Sequence, residues 1–165
     1  MKKVIAVLCL PIAFASSPVA YAKVTEQGNS GQSISIKSAT VSKKTNVTVT
    51  GKNFDETVGI YLAYCVVPKS GSAPTPCGGG INKEGIGNSS LWISSNAPPY
   101  ADGLAEPFLP GGRFNKQVLV GKKIGAFDCT KVKCAITVRA DHLREGDRTH
   151  DLYIPITFKN QISKN

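Results

Sequence analysis

The sequence predicts an all-β protein, an antiparallel β-sandwich of about seven short strands. Apolar and polar residues alternate in several short runs, turn residues separate these runs, and no stretch has a convincing helical period. In the clearest run, residues 134–139, one face carries Cys134, Ile136 and Val138, while the intervening positions are smaller or polar. This alternation predicts a half-buried strand.

The elements follow in chain order from the polar segment 23–31, which we expect to be a loose N-terminal arm. Alternation then predicts strands at 33–36, 45–50, 57–66, 90–94, 114–120, 134–139 and 151–158. The run 57–66 is apolar on both faces, which is typical of a strand central to its sheet. Pro155 cannot donate to a β-ladder, so the last strand is expected at a sheet edge.

A long segment rich in Pro, Gly and Ala, residues 95–112, separates two of the predicted strands. Loops of this length within a compact domain are usually functional or disordered. Because the segment contains Tyr100, Leu104 and Phe108, we expect it to be ordered.

The N-terminus has the organisation of a secretory signal peptide over residues 1–22. Lys2 and Lys3 precede the apolar run 4–14, and small residues flank Tyr21 before the expected cleavage site. The run is too short for a transmembrane anchor, since about 20 apolar residues are needed. We therefore expect a secreted or cell-envelope-associated protein, with an arm and first strand at 23–38, the sandwich at 39–160 and a tail at 161–165.

Four cysteines remain after removal of the signal peptide, and an even number in a small exported protein predicts two disulfides. Four cysteines allow three pairings, of which we expect the nearest-neighbour one, Cys65–Cys77 and Cys129–Cys134. The spacings lack paired CxxC motifs, so a zinc site is not expected.

The charge balance is basic, and removing Lys2 and Lys3 lowers the formal net charge from +9 to +7. The lysines are scattered, with no basic helix and no interleaving of basic and aromatic residues, so nucleic acid is not an expected partner. Attraction to an acidic cell envelope is the favoured consequence of the charge.

The sequence does not favour an enzyme. No serine lies in a Gly-x-Ser-x-Gly turn. The run 78–80 of three glycines lacks the Lys-Ser/Thr pair of a phosphate-binding loop, and oxidised cysteines leave no thiolate nucleophile. A secreted hydrolase would require His142 or His150 within hydrogen-bond reach of a serine and a carboxylate.

Four features of the chain resemble the neocarzinostatin family of actinobacterial immunoglobulin-like apoproteins. They are the segment 59–65 ending in Cys65, Cys77 after a Pro/Gly loop, the small cystine loop 128–134, and the terminal strand ending at 156–158. The segments 92–96 and 139–142 are more similar to modules of exported actinobacterial cell-envelope proteins than to antibiotic carriers. The resemblance implies a seven-stranded immunoglobulin-like sandwich, the same two disulfides, and a ligand cleft without a catalytic centre.

Aromatic residues are the first candidates for a ligand site, because ligand clefts are mostly apolar with a few aromatic side chains. Tyr61, Trp92, Tyr100 and Phe108 could line such a cleft. In the alternative interpretation, Trp92 belongs to the sandwich core, while Tyr100 and Phe108 only hold the long loop in place.

The charged segment 139–151 holds the densest titratable cluster. His142, His150 or Tyr100 could ligate haem, although the spacing matches no known metal motif. The alternative is a solvated loop in which acidic residues pair with arginines or cap turns; the acids are Asp141, Asp147 and Asp151.

The predicted function is a secreted, non-catalytic binding or envelope-associated module, monomeric and with an unknown small hydrophobic ligand or envelope protein as partner. The alternative is a carrier of a small hydrophobic ligand, haem or a chromophore, in a cleft lined by residues 92–112.

Overall fold

The computed structural model describes residues 23–79 and 89–159; the predicted signal peptide and C-terminal tail lie outside these ranges. Two short 3-10 turns occur at Pro99–Ala101 and His142–Arg144. The described residues form twelve strands: β1 Val24–Gln27, β2 Ser33–Ile36, β3 Thr40–Val41, β4 Thr45–Lys52, β5 Ile60–Val66, β6 Ser90–Ile93, β7 Ala105–Glu106, β8 Phe114–Val120, β9 Lys123–Ile124, β10 Phe127–Asp128, β11 Cys134–Ala140 and β12 Leu152–Phe158.

Two large sheets and a small hairpin make up the fold. The first sheet has the order β1-β2-β4-β8, the second has the order β3-β12-β11-β5-β6-β7, and β9 pairs with β10. Pairing is antiparallel except for two short edge pairs, β3 with β12 and β7 with β6, which are parallel. The all-β sandwich predicted from the sequence is therefore confirmed.

The main core lies between the two large sheets, where their aliphatic faces meet. Ile34 and Val49 project from the four-stranded sheet, and Leu62, Ile136 and Ile154 project from the six-stranded sheet; none is more than 1% exposed. Burial of each such side chain contributes about 1.5–3 kcal/mol to the free energy of unfolding. The alternating pattern of the sequence thus identified the residues that hold the sheets together.

Strand β5 lies between β11 and β6, as expected for a strand that is apolar on both faces. The prediction that the strand from Cys134 is half-buried was wrong, because both faces of β11 are buried. On its outer face Ala135 is 0% and Thr137 1% exposed. The Thr137 hydroxyl lies 3.3 Å from the Ala63 carbonyl oxygen and 3.2 Å from Cys65 Sγ. Strand β5 and its disulfide therefore provide hydrogen-bond partners for this buried hydroxyl.

The N-terminal segment differs from the loose arm that its polarity suggested. Strand β1 pairs with β2, with Val24 opposite Ile36 and Gln27 opposite Ser33. It is an edge strand with three of its four residues exposed, so it carries no apolar alternation that the sequence could reveal.

Pro155 lies in β12, which is the penultimate strand of its sheet. Strand β3 covers only the end of β12, since the amide of Thr157 donates to Ala39 and the amide of Lys159 donates to Val41. Backbone nitrogens two residues apart in a strand point to the same side, so the nitrogen of Pro155 also points to the β3 side of β12. It lies at a level along β12 that β3 does not reach. The edge position predicted for Pro155 therefore holds for the part of β12 in which it lies.

Both expected disulfides are present, Cys65–Cys77 with a Cα–Cα distance of 3.9 Å and Cys129–Cys134 with one of 5.5 Å. The first joins the Pro/Gly loop to β5, and the amide of Gly78 also donates to the carbonyl of Tyr64 at 2.7 Å. Within the described residues, no helix is long and apolar enough to cross a membrane.

The long segment 95–112 has a defined structure, as predicted from its aromatic residues. It contains the 3-10 turn at Pro99–Ala101 and strand β7. At its end, Oε1 of Glu56 accepts hydrogen bonds from the amides of Gly111 at 2.9 Å and Gly112 at 2.8 Å. This carboxylate anchors the segment to the turn before β5.

Candidate functional site

Tyr61 and Trp92 lie side by side on the face of the six-stranded sheet that points away from the main core. They are directly paired in the register of β5 and β6, and their ring centroids are 6.0 Å apart. Each is 7% exposed, and with Ala101 they form an apolar cluster separate from the main core. The interpretation that placed Trp92 in the sandwich core was therefore wrong.

The long segment brings Tyr100 to this pair of rings. Pro98 and Pro99 start the 3-10 turn, since proline suits the first helical positions. Ala101, 2% exposed, anchors the turn against the sheet, while the Tyr100 side chain is 62% exposed. The Tyr100 ring lies 6.5 Å from that of Trp92. The segment thus places an exposed ring beside two buried ones.

His142 links the two tyrosines. It follows β11 in the second 3-10 turn, and its Nδ1 lies 2.5 Å from the Tyr61 hydroxyl while its Nε2 lies 2.8 Å from the Tyr100 hydroxyl. The imidazole also meets the Trp92 ring edge-on, with centroids 5.0 Å apart. Burial, and secondly the negative charge of Asp141, raise the pKa of Tyr61, so this hydroxyl keeps its proton at neutral pH.

Asp141 supports the cluster from beneath. Its side chain is 0% exposed, its Oδ2 accepts a 3.0 Å hydrogen bond from Trp92 Nε1, and its Oδ1 caps the 3-10 turn by accepting from the Leu143 amide at 3.0 Å. The expectation that Asp141 caps a turn is therefore confirmed, whereas the expectation that it is solvated was wrong. The space for the carboxylate exists because residue 59 is glycine, where a Cβ would lie 2.0 Å from Oδ2.

Arg139 completes the arrangement and was not among the residues singled out from the sequence. It is paired with Tyr61 in the β11–β5 register, and its guanidinium carbon lies 5.1 Å from the centre of the Tyr61 ring. At this distance the positive guanidinium is attracted to the electron-rich face of the aromatic ring, which is a cation–π contact. The alternation of β11 places Arg139 on the outer face, and this pattern could have identified it as a candidate from the sequence.

We name these four side chains, Tyr61, Trp92, Tyr100 and His142, the aromatic–imidazole cluster. Two other candidates do not join it. Phe108 is 6% exposed in the main core, with its ring 6.0 Å from that of Phe54. The expectation that Phe108 lines the same site as Tyr100 was wrong, because the segment turns back into the sandwich after β7.

His150 lies in a separate polar turn, where its Nδ1 is 3.2 Å from Oδ2 of Asp147. Hydrogen bonds from the hydroxyl and amide of Thr149 lower the pKa of Asp147. Arg148 pairs with Asp151 at 3.3 Å. The alternative interpretation, a loop of ion pairs and turn caps, therefore describes residues 147–151.

The hydrogen bonds of the described residues do not include the arrangement that a serine hydrolase needs, since neither histidine is bonded to a serine. No group of three or more His, Cys, Asp or Glu side chains within these ranges could hold a metal ion. Both ring nitrogens of His142 are engaged by tyrosines, so haem ligation there would require one of these hydrogen bonds to break.

Within the part of the chain that the structure describes, cavities with volumes of about 270, 510 and 760 Å³ lie away from this cluster. None of the three is lined by residues 92–112. At the aromatic–imidazole cluster the long segment instead offers a surface that carries an exposed ring.

Comparison with solved structures supports the fold. No protein-family model matches the chain, and no curated protein matches it either. Macromomycin, an apoprotein of the neocarzinostatin family, matches with a TM-score of 0.50 and 17% identity, over 78% of this chain and 100% of macromomycin. At this identity the likeness concerns the fold alone. The chain has a neocarzinostatin-like β-sandwich fold.

Proposed function

We propose that this protein is a secreted, non-catalytic binding module whose ligand lies against the aromatic–imidazole cluster. The observation that carries the proposal is the position of Tyr100, 62% exposed beside the buried rings of Trp92 and Tyr61. These rings are not needed to fill the main core, which is closed by other side chains. An aromatic group held exposed on a second cluster is suited to contact a ligand.

The chemistry of the cluster indicates the class of ligand. Flat aromatic faces favour a small molecule with a planar apolar part. Both ring nitrogens of His142 are engaged by tyrosines, so the hydroxyl of the exposed Tyr100, which can make a second hydrogen bond, is the polar group at the edge of the cluster. Arg139, stacked on Tyr61, adds positive charge nearby. A small hydrophobic ligand with a negatively charged substituent, lying against the first part of the segment 92–112, fits these groups best.

The secreted location is supported by two independent features. Residues 1–22 have the pattern of a cleaved signal peptide. Both disulfides join cysteines of the chain that would follow cleavage, and disulfides persist mainly in oxidising compartments. The absence of a serine or metal-binding arrangement around the histidines, among the described residues, favours binding over catalysis.

The single tryptophan of the chain, Trp92, reports directly on this site. We would titrate the mature protein with 8-anilinonaphthalene-1-sulfonate, an anionic aromatic probe, and follow Trp92 fluorescence. Saturable quenching that weakens in Tyr100→Ala is expected. Leu109→Ala is the matched control, because Leu109 is also an exposed apolar side chain, 52% exposed, but lies away from the cluster. Equal loss in both variants, or no saturable quenching, would contradict the proposal.

Haemin tests the haem alternative in the same way. A saturable Soret shift that is lost in His142→Ala but kept in His150→Ala would identify haem as the ligand and His142 as its axial group. A shift that is unchanged in both variants would exclude histidine-ligated haem.

A further inference from the structure

The outer face of the four-stranded sheet is almost entirely polar. Along β4 the outward positions include Asn46, Thr48 and Thr50, since the intervening valines enter the core. Ser35 of β2 is paired with Thr50, and Gln117 of β8 is paired with Thr48. The face therefore presents an array of hydroxyl and amide groups across three strands.

Two depressions follow β4, with volumes of about 510 and 270 Å³; the smaller lies on this face, and the larger continues past the sheet margin to Val41 and Lys159 at the six-stranded sheet. Lys37 and Thr48 line both of them, so the two depressions meet at this pair. Together they extend along β4 from Thr45 to Thr50, a distance of roughly 17 Å at about 3.4 Å per residue. They form one shallow trough, which we call the β4 trough.

Three lysines surround the β4 trough, and no aspartate or glutamate lines it. Lys37 lies where the two depressions meet, Lys159 lines the larger one, and Lys23 lines the smaller one, with its Nζ 3.0 Å from the Thr50 hydroxyl. All three lysines are exposed. The trough thus has a positively charged rim and polar side chains around an apolar floor at Ile36, Val41 and Val47, without an aromatic ring among its lining residues.

We propose that the β4 trough binds a linear anionic polysaccharide. The array of hydroxyl and amide groups can exchange hydrogen bonds with sugar hydroxyls, and the three lysines can pair with carboxylates along the polymer. Nucleic acid fits less well, because single-strand binders stack bases on aromatic side chains. This site shares no residue with the aromatic–imidazole cluster and does not depend on the ligand proposed there. It would retain the secreted protein at an acidic polysaccharide layer.

The test is titration of the mature protein with polygalacturonate at low ionic strength, comparing two triple variants of equal net charge. Lys23→Gln/Lys37→Gln/Lys159→Gln removes the lysines of the trough and should weaken binding by about ten-fold. The control removes three exposed lysines of distant loops, Lys69, Lys131 and Lys133, and should leave the affinity nearly unchanged. Equal weakening in the two variants would show that net charge alone is responsible and would overturn the proposal.

A second comparison tests recognition of the sugar hydroxyls. Thr48→Val keeps the β-branched shape at an exposed position but removes the hydroxyl, and it should weaken binding to polygalacturonate without changing the unfolding midpoint. Polyphosphate, which has charge but no sugar, should bind more weakly than polygalacturonate. Equal binding of the two polymers, or an unchanged affinity in Thr48→Val, would overturn the proposal. Tyr100→Ala should bind polygalacturonate normally, which separates this site from the aromatic–imidazole cluster.

Discussion

The indole Nε1 of Trp92 donates a 3.0 Å hydrogen bond to Oδ2 of Asp141, whose carboxylate is 0% exposed. This contact joins β6 to the turn after β11 across the intervening strand β5. The other carboxylate oxygen accepts the amide of Leu143, so Asp141 holds both the indole and the turn that carries His142. The aromatic–imidazole cluster therefore depends on one buried acidic side chain.

Asp141→Asn should lower the free energy of unfolding by about 1–3 kcal/mol. An amide has one acceptor and one donor group, so either the Trp92 indole or the Leu143 amide loses its acceptor. The measurement is urea unfolding followed by circular dichroism. Asp102→Asn is the control, since Asp102 is an exposed acid in the neighbouring loop. If Asp141→Asn is as stable as the control, the carboxylate does not stabilise the site.

Gly59→Ala should destabilise the protein by about 1–3 kcal/mol, because overpacking in a well-packed site costs about this much. A Cβ at residue 59 would lie 2.0 Å from Oδ2 of Asp141 and 2.9 Å from the Ser94 hydroxyl. In Gly146→Ala the added methyl group meets nothing within 4 Å, so its thermal midpoint should stay near that of the wild type. Similar midpoints for both variants would contradict the tight fit between Gly59 and Asp141.

Tyr64 provides a prediction for alkaline pH. It is 1% exposed, its hydroxyl has no hydrogen-bond partner among the residues that the structure describes, and burial raises its pKa to about 12. The unfolded chain loses this proton near pH 10. Ionisation of this group therefore does not affect stability below pH 10, and the free energy of unfolding falls as the pH rises from 10 through 12, because the unfolded chain loses the proton more readily than the folded one. Tyr64→Phe should reduce this alkaline loss.

At neutral pH, Tyr64→Phe should be as stable as the wild type or more stable by about 1 kcal/mol, since it removes an unpaired buried hydroxyl. Tyr153→Phe is the matched comparison, because its hydroxyl donates to Oδ2 of Asp151 at 3.1 Å and its loss should be destabilising. Unfolding free energies at pH 7 and pH 11 measure both effects. Lower stability of Tyr64→Phe at pH 7 would show that the hydroxyl has a stabilising partner.

The two disulfides should contribute unequally. The chain-entropy relation gives about 3 kcal/mol for Cys65–Cys77, which spans 12 residues, and about 2 kcal/mol for Cys129–Cys134, which spans 5. Paired alanine variants, compared by guanidinium unfolding, measure the difference. A larger loss on removing Cys129–Cys134 would mean that the small loop stabilises β11 by contacts rather than by chain entropy.

The sequence by itself was enough to predict the sandwich, much of its core and, among three possible pairings, the two disulfides. These features depend on local alternation and short cysteine spacings, because a strand with one buried face repeats every two residues. The burial of Ile34 and Ile136 could be predicted from that period, and the burial of Leu62 from a run that is apolar on both faces. Strand β1 escaped prediction because an exposed edge strand carries no such period.

Only the tertiary structure decided which candidate residues meet. Trp92 and His142 are 50 positions apart, and Phe108 lies close to Tyr100 in sequence but in a different cluster. Their contacts follow from the pairing of β5 with β6 and β11 and from the path of the segment 95–112. The pairing of distant strands is a cooperative property of the whole sheet, and no local pattern encodes it. The burial of Asp141 likewise depends on a residue distant in sequence, because the glycine at position 59, directly before β5, leaves the space that its carboxylate occupies.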